Sequence, residues 1–185
     1  MKLKNFYKFS SICSLLSGAS LIIGWTLNIG RDSVIGAEIA LAGYVLAIFA
    51  FVGIGTMYFE KITVFGFLGL CLIVLANILF IPWVFLDMAR ESGILPTMDW
   101  YYVERNGPPG IVAITGGAAF IFGYLAFGID TIRAKVKNSW PSYLLILAAL
   151  QPAFFVFTGQ GKMLPRIAGV ALLGFAWNLR QLTKK

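Results

Sequence analysis

Six unbroken apolar blocks run along the chain, Phe9 to Ile29, Ile39 to Phe59, Val64 to Leu86, Ile111 to Ile129, Trp140 to Phe157 and Met163 to Leu179, with the charged residues gathered between them. None shows the alternation of apolar and polar positions, over about ten residues, that marks a membrane barrel strand. Only helices and closed barrels satisfy the backbone within lipid, so the blocks read as helices. A helix needs roughly 20 apolar residues to cross a hydrocarbon core about 30 Å thick. The expected fold is therefore all-α and integral to a membrane, with six transmembrane helices in one domain covering 1–185. The sixth block is the weakest, because Arg166 near its start and Arg180 just past its end must both snorkel to the interfaces. The first block exceeds the 7–15 apolar residues of a cleaved signal, and no small-x-small site follows it, so it is expected to stay as a helix.

The connections add detail. The third, Asp87 to Gly110, is the longest. Thr97 and Asp99 suit a helix start, Trp100, Tyr101 and Tyr102 give an amphipathic face, and Asn106 to Pro109 end it, which predicts a short helix lying at the outer interface. Within the second block Gly36, Ala40, Gly43, Ala47 and Ala50 recur at steps of four and three, a stripe where a neighbouring backbone can approach closely. Gly53, Gly55 and Pro152 mark places where the second and fifth helices could break.

Composition agrees and charge adds direction. Hydrophobic residues make up 59% of the chain, charged residues 12%, and the mean hydropathy is +0.83, far from a soluble domain with about 25% charged residues. With the N-terminus inside, the inner segments carry Lys2, Lys4, Lys8, Lys61, Arg133, Lys135, Lys137, Arg180, Lys184 and Lys185, against Arg31, Arg90, Arg105, Lys162 and Arg166 outside. Basic residues are held on the cytoplasmic side during insertion, so both termini are expected there. The net charge of +7 is then a cytoplasmic rim and not a nucleic-acid footprint.

A shift of about 99 to 101 residues lays Gly18, Ala19, Ile22 and Gly24 on Gly117, Ala118, Ile121 and Gly123, Tyr44, Leu46 and Ala50 on Tyr143, Leu145 and Ala149, and Gly69 on Gly169. That register suggests a three-plus-three inverted repeat over 9–87 and 109–180.

The chemistry is defined by what is missing. There is no His, which removes the commonest metal ligand and general base, and two cysteines are too few for a soft-metal site. Gly161 and Lys162 do not make a phosphate loop, since Val156 replaces its first glycine and Met163 its hydroxyl residue. No ionisable group lies deep in any block; Glu38 and Asp130 sit near helix ends, where water is expected to reach them. Neither a catalytic residue nor a cofactor is expected. The deep polar groups are Asn77 and Gln151, with Ser17, Ser20 and Thr115. The two amides should face the bundle interior, either as glue between helices or as the lining of a path.

The run Met163 to Val170, MLPRIAGV, and the block Thr115 to Arg133 resemble the C-terminal half of small uncharacterised bacterial six-pass membrane proteins. That resemblance implies a bacterial inner membrane and carries no activity. The leading expectation is a non-catalytic subunit or scaffold of a membrane complex, with lipid around it and a membrane-protein partner gripping the helix faces or the 88–108 loop, where Trp100, Tyr101 and Tyr102 are candidate binding residues. The alternative is a facilitator or carrier for a small neutral or amphiphilic solute, with Asn77 and Gln151 in its path.

Overall fold

A computed structural model describes residues 3–27, 33–94, 108–135, 138–158 and 164–183, and over 151–158 the backbone alone. It contains α1 (Leu3–Leu27), α2 (Val34–Tyr58), α3 (Val64–Glu91), α4 (Pro108–Arg133), α5 (Trp140–Thr158) and α6 (Leu164–Leu182). Each coincides with a predicted block, and most run a few residues further, since polar residues continue a helix past the apolar core. Ser33 starts α2 as its cap, its Oγ accepting from the Gly36 amide at 3.2 Å. Pro108 opens α4 where its missing N–H is harmless. The helix α3 passes through Pro82 and continues to Glu91, shortening the third connection from its near side. The expected interfacial helix at 97–106 lies outside the described residues.

Helices adjacent in sequence are adjacent in space, α6 packs on α1 to close a ring, and α6 also reaches α2 across it. Every neighbouring pair is antiparallel. Gly24 of α1 meets Gly36 and Ala40 of α2, while Gly53 of α2 lies under Ser10. Gly69 and Gly123 face each other between α3 and α4, and Gly18 and Gly169 between α1 and α6. One end of the ring therefore gathers the start of α1, the turn 59–63, residues 134–135 and 138–139, and the end of α6.

The small-residue stripe of α2 is a packing face, with Gly36, Ala40, Gly43, Ala47 and Ala50 all buried. A side chain at Gly24 would place its first carbon 2.6 Å from the Ala40 nitrogen, so these two backbones touch. The helix α2 runs unbroken through Gly53 and Gly55, where Ser10 and Leu70 fill the space that side chains would take. The α5 backbone is likewise helical through Pro152.

Large apolar side chains such as Leu15, Ile23, Phe49, Leu68, Ile78 and Phe122 project outward, while the interior collects alanine, serine and aromatic rings together with aliphatics such as Leu21, Ile54 and Leu172. A water-soluble bundle does not present so many large apolar side chains on its outer surface. Helices α1 to α4 are each long and apolar enough to cross a membrane, and α5 adds the shorter apolar stretch Trp140–Leu150. The chain is a helical membrane protein.

Candidate functional site

Polar groups meet inside the bundle at two levels. Midway along it, Asn77 of α3 is only 2% exposed, and its Nδ2 donates to the Ile73 carbonyl of its own helix at 2.8 Å. Across the interface it meets the buried Tyr124 of α4, which in turn lies beside Tyr44 of α2. Aromatic rings enclose this group. Tyr44 contacts Phe80 at 5.4 Å, Phe80 contacts Phe120 at 5.9 Å, Phe120 stacks on Tyr124 at 4.1 Å, and Tyr124 meets Phe51 edge-on at 5.7 Å. Asn77 thus acts as a tie, anchored to its own helix and touching the next. Asn77→Leu should lower stability by about 1 kcal/mol, read as the unfolding midpoint in detergent.

Gln151 lies on α5, its side chain outside the described residues, and Trp100, Tyr101 and Tyr102 lie in the connection outside them. Asn77 is therefore the candidate of the five whose side chain lies among the described residues.

The second level lies near the end that carries both termini. The ring of Tyr58 packs edge-on against Phe127 of α4 at 6.0 Å and Phe175 of α6 at 6.3 Å. Its hydroxyl sits beside Asn178 and Ser142 without completing a hydrogen bond among the described residues. Thr131 Oγ1 donates to Ser142 Oγ at 2.8 Å, joining α4 to α5, and Asn178 Nδ2 donates to the Asn138 carbonyl at 3.0 Å, joining α6 to the preceding turn. Asn138 takes the left-handed conformation, φ 68°, which asparagine tolerates better than most residues.

No family model matches the chain, and neither does any curated protein or solved structure.

Asp130 departs from expectation. Water does not reach it, since it is 3% exposed. Its Oδ2 accepts from the Thr63 amide at 2.6 Å and its Oδ1 from the Thr63 hydroxyl at 3.1 Å. Thr63 precedes α3, so a carboxylate from α4 caps the positive end of α3. Gly66 makes room, because a side chain there would run into the carboxylate.

A run of serines on α1 also escaped the sequence reading, apart from Ser17. Ser11 donates to the Ala176 carbonyl at 2.9 Å, Ser14 to Leu172 at 2.7 Å and Ser17 to Gly43 at 2.7 Å. Their spacing, continued by Gly18, Leu21 and Gly24, is the three-and-four step of a packing face and could have revealed them. Among the described residues no three of Cys, Asp and Glu gather as a metal site. The polar groups that are placed serve mainly to hold helix to helix.

Proposed function

We propose that the chain crosses a bacterial inner membrane six times, with both termini cytoplasmic, and acts as a non-catalytic subunit or scaffold of a membrane complex. The observation that carries this reading is how the described interior is occupied. Aromatic rings from α2, α3 and α4 occupy the middle of the bundle, Phe175 of α6 joins Tyr58 nearer one end, and the buried polar groups Asn77, Thr131 and Ser142 are hydrogen-bonded within it. Such a core favours work at the outer faces and connections over work along the axis.

The test is purification of the full chain in mild detergent. A stoichiometric membrane-protein partner should accompany it, and should be lost when Trp100, Tyr101 and Tyr102 are all changed to alanine. A protein that purifies alone and carries a neutral solute across liposomes would overturn this reading in favour of the carrier. For topology, a reporter fused after Leu95 should be active only when exported and one fused after Lys137 only when cytoplasmic. The antiparallel ring supports that placement, since it gathers the described basic residues Lys4, Lys8, Lys61, Arg133, Lys135 and Arg180 towards one end.

The inverted repeat does not enter the proposal. Around the closed ring the helices follow one another in a single rotational sense, and turning one three-helix half upside down would reverse that sense. Paired positions also differ in surroundings: Tyr44 is 4% exposed and Tyr143 57%. Gly24 packs on the helix that follows its own, and Gly123 on the helix that precedes it.

A further inference from the structure

Two recesses meet at the end of α2. One, about 430 Å³, is an apolar groove between α2 and α3, with Val52, Gly55, Leu70, Cys71 and Val74 along it. The other, about 410 Å³, opens where α2 leaves the membrane and is lined by Tyr7, Glu60 and Lys61 among others. They share Thr56 and Phe59. Phe59 is 65% exposed and stands edge-on to Phe67 at the mouth of the groove. The lining changes from mainly apolar to charged across this one boundary, at the level of the 59–61 turn.

We propose that the two recesses form one site for a phospholipid with a primary ammonium headgroup, of the phosphatidylethanolamine type. An acyl chain lies in the groove, whose floor is Leu70 packed over Gly55 and whose far wall is the exposed Cys71. The headgroup enters the recess, where Lys61 donates to the phosphate and Glu60 accepts from the ammonium. The adjacent opposite charges select this occupant. A phosphatidylglycerol would leave Glu60 facing its phosphate without a cation, and a phosphatidylcholine ammonium has no hydrogen to donate. An excess of basic residues alone would favour the anionic lipid, so the site predicts a preference against the general charge of its surface.

Native mass spectrometry of the intact protein, incubated in detergent with each lipid at equal acyl length, tests the site. The ethanolamine lipid should be retained over the choline and glycerol lipids. Glu60→Gln should lower its retention by about tenfold, the equivalent of one charge-assisted hydrogen bond, and leave the glycerol lipid unchanged or improved. Cys71→Trp should displace all three lipids from the groove, and Val52→Trp should do the same from the opposite wall. Both positions face outward, so the fold does not depend on them. Equal retention of the three lipids, or a preference for ethanolamine that survives Glu60→Gln, overturns the proposal. So does a Cys71–Cys71 dimer on oxidation by copper phenanthroline, which would seat a second copy in the groove.

Discussion

Gly169→Leu should leave little folded protein. A first side-chain carbon at Gly169 would lie 2.8 Å from the Gly18 carbonyl oxygen, and one at Gly18 would lie 2.6 Å from the Gly169 oxygen. Backbone blocks both, so no rotamer relieves the clash and the helices must move apart. Separation also breaks the hydrogen bonds from Ser14 to the Leu172 carbonyl and from Ser11 to the Ala176 carbonyl. Overpacking costs about 1–3 kcal/mol and each lost hydrogen bond about 1 kcal/mol, so the expected loss is roughly 3–5 kcal/mol. The measurement is the monodisperse fraction after extraction, followed by thermal unfolding. Gly117→Ala is the control. Nothing lies within 4 Å of its added carbon, and alanine favours helix by up to about 1 kcal/mol. If Gly169→Leu extracts and melts like the parent, the α1–α6 contact is not what closes the bundle.

The second large effect is expected at Asp130. Asp130→Ala removes the acceptor for the Thr63 amide and hydroxyl and leaves the first turn of α3 without its anion, a loss of about 2–3 kcal/mol. Asp130→Asn keeps one acceptor oxygen and should lose less. Gly66→Ala should destabilise by pushing the carboxylate off the turn, yet add little once residue 130 is alanine. A double-mutant cycle over the two positions reads that coupling directly. Additive losses would mean that Gly66 matters for some reason other than the cap.

The six helices were legible because an apolar run about 20 residues long has few alternatives in lipid. The α2 stripe was legible for a similar reason, as small residues at helical spacing mark a line of close approach whatever lies opposite. Asp130 was not. Seen along the chain it is an acid near a helix end, which commonly means an interface, and its partner Thr63 is 67 residues away. Tyr58, Thr131, Ser142 and Asn178 were hidden in the same way, since each lies at or near the end of its own helix and becomes interior only when four helices converge. Of the site residues expected from sequence, Asn77 could be found because a lone amide at mid-depth must turn inward. The aromatic triplet at 100–102 was singled out by composition alone, which says nothing about its geometry.

The closure of the ring by α1 and α6 also orders events in time. Helix α1 is synthesised before α6, yet α6 is one of its two main lateral partners. Until residues 164–182 emerge, the hydroxyls of Ser11 and Ser14 have no carbonyl across from them, and α1 must wait beside lipid or beside whatever insertion machinery shields it. Helix α6 is the least apolar of the six described helices, and it arrives to a slot already lined with donors. Closure of the bundle therefore waits on α6, and a chain stopped short of that helix is an open arc whose polar seam is left for a quality-control protease to recognise.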